Sequence, residues 1–108
     1  MIKMALTKDF KSTVRERAKK DEVFRKELLI EAINALLSNE IEVAKSLLRD
    51  YINATISFEP LAKRVHKNSK SLQRMFSSSG NPTTESLFLV INALQEVEGI
   101  KLQAEIVH

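Results

Sequence analysis

Asn68, Ser69, Lys70, Ser71 and Arg74 crowd hydrogen-bonding side chains into a short stretch, and Lys63 and Lys67 stand just before it. These residue types do not suggest covalent chemistry. The chain has no cysteine, and its two histidines, His66 and His108, have no carboxylate cluster at metal-ligand spacing. No glycine-rich phosphate loop is present either, so no enzyme activity, cofactor or metal is expected. The chemistry these side chains do offer is recognition. Arginine and lysine match the acceptors on guanine and the oxygens of phosphate, while serine is permissive.

Such side chains need elements to aim them. Residues 57–94 read as two short helices at a turn, a small-residue loop and a third helix. Ala62 falls where the two short helices would cross, with Leu61, Val65, Leu72 and Met75 spaced to pack beneath. Ser57 is a candidate N-cap for the first, about Phe58 to Val65, where Pro60 is tolerated in the first turn. His66 occupies the turn, at a position where positive φ is expected. Asn68 would cap the second, Ser69 to about Phe76, leaving backbone N–H groups for a phosphate. Lys70, Ser71 and Arg74 would face outward. A helix pair with this apolar underside and donor-rich second helix fits the major groove of DNA. In the loop 77–82, Gly80 is expected to hold positive φ. Thr83 would cap a last helix to about Glu98 that packs through Leu87, Val90, Ile91 and Leu94, with Phe88 nearby.

Charge placement points the same way. The segment 58–80 carries Lys63, Arg64, Lys67, Lys70 and Arg74 against Glu59 alone, a net +4, while the rest of the chain nearly cancels. A basic cluster on a helix pair is the footprint of a phosphate contact.

Upstream, only Gly80, Gly99, Pro60 and Pro82 interrupt the chain, so long helices are the default. Thr7 would cap a first helix, Lys8 to Lys20, whose narrow stripe Phe10, Val14 and Ala18 packs lightly; its basic faces are a second candidate DNA contact. A second helix runs from Asp21 to about Ser38, with a wide apolar face of Phe24, Leu28, Leu29, Ala32, Ile33, Leu36 and Leu37. Asn39 with Glu42 resembles a capping box opening a third helix, which packs through Ile41, Ala44, Leu47, Leu48, Tyr51 and Ile52. The short connection makes these two an antiparallel hairpin. Asp21–Glu22 and Glu96/Glu98 read as helix-end or solvated acids.

After Gly99 the tail alternates, with Ile100, Leu102, Ala104 and Ile106 on one side, which is a strand signal. A lone strand cannot satisfy its own backbone, so pairing with a second protomer is expected. The whole is read as one compact all-α domain: N-terminal helices over 1–56 that pack on the core, the wide face of the second being an alternative dimer interface, the helix-turn-helix region over 57–98, and a strand or tail over 99–108. No apolar run approaches a membrane span and no signal-peptide core opens the chain, so a cytoplasmic protein with no membrane partner is expected. Met4 offers an alternative start that would make residues 1–3 dispensable.

The stretch 57–94 resembles the lambda-repressor-like helix-turn-helix class through Leu61–Ala62, the turn at His66, SKSLQRM at 69–75, and GNPT followed by LFLVINAL at 87–94. Members commonly have glycine where His66 stands. More widely, KSLLRDYINATISFEPLA leading into KSLQRMFSSSGNPTTESLF resembles bacterial addiction-module antidote proteins, over most of the chain from Leu6 to Leu102. The resemblance implies a homodimeric antitoxin that binds double-stranded operator DNA, represses its own operon and neutralises a RelE/ParE-type toxin. It places base reading on Ser69, Lys70, Ser71 and Arg74 and phosphate contact on Asn68. The alternative reading is a protein-interaction module on the same scaffold without DNA binding. An RNA binder is disfavoured, for want of an exposed aromatic set.

Overall fold

The computed structural model describes residues 8–108, with side chains from residue 13 onward. The proposed Thr7 cap, the Met4 start and the packing of Phe10 lie outside the described residues. The described elements are all helices: α1 (Lys8–Lys20), α2 (Glu22–Leu37), α3 (Ile41–Ala54), α4 (Phe58–Arg64), α5 (Ser69–Met75) and α6 (Thr84–Glu98).

Helix starts follow side chains that accept from orphan N–H groups. Asp21 accepts from the Phe24 N–H at 3.1 Å, Asn68 from Lys70 and Ser71 at 2.9 and 3.2 Å, and Thr83 from Ser86 at 3.1 Å. Two expected caps differ. Ser57 does occupy the N-cap position of α4 but makes no side-chain cap bond, and its backbone sits at φ 74°, ψ 161°. The α3 cap is Glu40, also without a side-chain bond. Asn39 instead closes α2. At φ 62° it donates to the Leu36 carbonyl at 3.1 Å, while the Glu40 N–H reaches Ala35 at 2.8 Å. That is a Schellman closure, and asparagine is one of the few L-residues that tolerates its left-handed position.

The same closure recurs twice. His66, at φ 58°, ends α4 with the Lys67 N–H on Ala62 at 2.9 Å, as expected at this turn. Gly99, at φ 74°, ends α6 with the Ile100 N–H on Gln95 at 3.0 Å.

α2 packs most extensively on α3 as the expected hairpin, and α1 lies against both. α4 packs on α5 and on α6. One continuous core joins all six helices, from Ala18 through Leu29, Leu48 and Leu61 to Leu72 and Leu94. Phe58 at the start of α4 meets Phe76 just beyond α5 with ring centroids 6.2 Å apart, closing the short pair at its open end. Ala18 is fully buried, so α1 is seated more firmly than a light contact through Val14 alone. Leu37, expected inside, is 76% exposed, because Ala35 takes the inward position near the end of α2.

Among the described residues no strand forms. Residues 100–108 carry no regular structure. Ile100 and Leu102 pack against the core, and the Leu102 N–H donates to the Gln95 side chain at 2.7 Å. Beyond Leu102 the tail is exposed throughout, so the alternation is realised only in its first two apolar residues.

Candidate nucleic-acid interface

α4 and α5 are joined by the turn at 65–68, whose closure is made by main-chain bonds around His66. Leu61, Ala62, Val65 and Leu72 are buried on the inner side of this pair, and Met75 packs partly against the core. The opposite side is polar. Lys63, Asn68, Lys70, Ser71 and Arg74 are exposed, and Lys67 and Ser69 are half-buried. All seven candidate residues therefore lie on the two helices and the turn between them.

Their surroundings divide them. Lys70 and Arg74 are one helical turn apart and share a face of α5. Among the described residues, Lys63, Lys67, Lys70 and Arg74 have no carboxylate partner, whereas Arg64 lies 3.6 Å from Glu96. Ser69 accepts from the Gln73 side chain at 3.3 Å, so its hydroxyl is partly engaged. Asn68 differs from expectation. Its carboxamide oxygen already takes the Lys70 and Ser71 N–H groups, so these are not free for a phosphate. The cap orients α5, and the donors left on its exposed side are side chains.

Of the described cations of α1, Arg15, Arg17 and Lys19 are paired within the fold. Arg15 lies 3.7 Å from Asp50, and Lys19 lies 3.5 Å from Glu16. Arg17 lies 3.6 Å from Asp21 and stacks over the Phe24 ring at 4.3 Å. Paired cations of this kind make a weaker phosphate surface than unpaired ones.

Gly80 has a role that its sequence context did not suggest. It is not at positive φ. A Cβ on it would meet the Arg74 carbonyl oxygen at 1.9 Å and that of Met75 at 2.8 Å, both backbone. The loop is thus folded against the last turn of α5, where only a glycine fits. Gly80→Ala is expected to cost about 1–3 kcal/mol through forced backbone movement, read as a lower urea midpoint. An unchanged midpoint would mean that the loop shifts freely.

Several polar residues that matter here escaped a local reading. Lys45, on α3, is 3% exposed and donates to the Gly80 carbonyl at 2.7 Å. Arg49, one turn later, donates to the Phe76 carbonyl. Glu98, read above as a solvated acid, has a side chain only 5% exposed. It accepts from Arg25 at 3.0 Å and from the Tyr51 hydroxyl, tying α6 to α2 and α3. A glutamate at a helix C-terminus opposes the helix dipole, and that was the available signal.

Burial pushes the Glu98 carboxyl up, but the hydrogen bonds from Arg25 and Tyr51 outweigh it and hold it below the ordinary glutamate value. Burial, together with the bond to Glu98, pushes the Tyr51 phenol well above its ordinary value.

Among the described residues no group of three His, Asp or Glu could hold a metal ion, and no helix is long and apolar enough to cross a membrane. Comparison with protein-family models, with curated proteins and with solved structures finds no match in any of the three.

Proposed function

We propose that this chain is a sequence-specific DNA-binding transcriptional regulator of the helix-turn-helix kind, placing α5 in the major groove. One observation carries the reading: four cations without carboxylate partners, Lys63, Lys67, Lys70 and Arg74, flank an exposed donor set on two short helices. Lys70, Ser71 and Arg74 read base edges; Lys63 and Lys67 contact phosphate. One short helix reads few bases, so the chain acts as a homodimer on a palindromic operator. The narrower role, an autorepressing antitoxin paired with a RelE/ParE-type toxin, rests on the sequence resemblance alone.

Fluorescence anisotropy against the chain's own upstream DNA, with scrambled DNA as control, tests this. Affinity should fall roughly tenfold per protomer, and about a hundredfold for the dimer, between about 50 and 200 mM salt if Lys63 and Lys67 each neutralise one phosphate. Arg74→Ala should cost about 1–3 kcal/mol and relax the site preference, whereas Lys63→Ala should weaken all sequences alike. Equal, weak binding to both DNAs would overturn the reading.

For the dimer, the proposal is that residues 100–108 pair as strands across the two-fold axis. Sedimentation of a chain lacking them should show a weakened dimer; an unaltered one would rule the strand pairing out.

The second reading, a protein-interaction module, is favoured by Val23, Ile30 and Leu37, which stand exposed at seven-residue spacing along α2. The titration separates the two: a partner captured by a chain that prefers neither DNA supports the second reading.

A further inference from the structure

The C-terminal carbonyls of a helix lack intrahelical donors. In α5 some find local ones: the Ser77 hydroxyl donates to Arg74 at 2.8 Å, and the Phe76 N–H to Gln73 at 3.2 Å. Two carbonyls beyond the helix are served from a different element. Arg49 of α3 donates to Phe76, and Lys45, one turn before it, donates to Gly80. Both cations approach the negative end of the α5 dipole.

Lys45 is the unusual member. Lysine is almost never fully buried unless paired, because desolvating the ammonium costs several kcal/mol. Here the side chain is 4% exposed, and its partners are the Gly80 carbonyl and the Glu42 carboxylate at 2.9 Å. An apolar residue would fill the space without that cost. What an ammonium adds is direction. Apolar packing of Leu72 and Phe76 holds α5 down but is non-directional, whereas a hydrogen bond fixes both distance and angle.

We propose that Lys45 and Arg49 are positioning residues, which set the angle of α5 against α3 and so the register of Lys70, Ser71 and Arg74 on a bound DNA. The angle belongs to the fold itself; its consequence for DNA rests on the function proposed above. α3 is then the ruler against which the recognition helix is held, and Gly80 is the point of closest approach that lets the loop reach Lys45.

The test uses full-length Lys45→Met and Arg49→Met, with Arg49→Lys as the conservative replacement. Residual dipolar couplings of backbone N–H groups are recorded without DNA, and affinity for the chain's own upstream DNA and for scrambled DNA is measured at fixed salt. In both Met variants the couplings of Ser69–Met75 should depart from the orientation that fits the other helices, and Arg49→Lys should restore it. The preference for native over scrambled DNA should fall roughly tenfold, about the discrimination of one base contact. The salt slope should hold, since no phosphate-contacting cation is removed.

A merely structural role would lower thermal stability and reduce affinity for both DNAs alike. Couplings for α5 that keep the parental orientation overturn the proposal, whatever the DNA data. Reoriented couplings with an unchanged preference overturn its specificity half. If the parent itself prefers neither DNA, the functional reading fails, and the couplings alone decide the positioning role. Should Lys45→Met not fold, the half-buried Arg49 site decides in the same way.

Discussion

Glu98→Ala is expected to lower the unfolding free energy by about 3 kcal/mol, because removing one partner leaves the others buried and uncompensated. Arg25 donates to Glu98 from Nε at 3.0 Å and from a second nitrogen at 3.1 Å, and keeps only the Ala18 carbonyl at 3.1 Å when the carboxylate goes. Tyr51, fully buried, loses the acceptor for its hydroxyl. Tyr51→Phe in the same background should recover part of the loss, because the orphaned hydroxyl is then gone.

The variant should also differ in its response to acid. The folded-state pKa of Glu98 lies below the unfolded value near 4.5. Folding therefore favours the ionised form, and its contribution is complete above that value and lost as pH falls through the folded pKa. The parent's stability should fall as pH drops below about 4.5, and Glu98→Ala should show a shallower fall. Asp21 and Glu22, also held below their ordinary values, remain in both chains, and the Glu98 charge is the smallest influence on Glu22, so the difference between the curves is mainly that of Glu98. Superimposable pH profiles would show that the carboxylate is not held as described.

Phe76→Ala is expected to cost about 3–5 kcal/mol, the range for deleting a fully buried aromatic ring. Phe76 has no exposed surface, lies against Phe58, and supplies the carbonyl that Arg49 holds. The cavity would open where α4, the end of α5 and the core meet. Urea unfolding should show a lower midpoint with an unchanged slope, because the same surface is exposed in a single transition. Two separated transitions would show that α4 and α5 unfold apart from the N-terminal helices, against the continuous core described here.

Much of the architecture is legible in the chain because it is encoded locally. Scarcity of glycine and proline, apolar residues at helical spacing, and caps at Asp21, Asn68 and Thr83 are all short-range signals, and the helices start where those signals lie. His66 and Gly99 likewise mark their turns. Asn39 shows the limit of such signals. Asparagine serves both as an N-cap and as a left-handed helix closure, and the two roles lie one residue apart at a tight junction.

The exposure of the candidate site follows from the same helical periodicity that buries Leu61 and Leu72. What holds the site follows from no periodicity at all. Lys45 meets a carbonyl 35 residues away, and Glu98 meets an arginine 73 residues away. A charged residue in sequence reads as solvated until the fold supplies its partner.

The tie between Glu98 and Arg25 also bears on the order in which the protein can be made. α1, α2 and α3 leave the ribosome well before α6. Local helices and their hairpin form in microseconds, whereas synthesis advances at about 5–20 residues per second. For that interval the nascent chain carries a Tyr51 hydroxyl and an Arg25 guanidinium whose acceptor has not yet been translated. The core, which includes Val90 and Leu94, is incomplete as well. Native closure is thus an event of the last helix. Any stall before residue 98 would leave an apolar face uncovered, and such a face is what chaperones and proteases recognise.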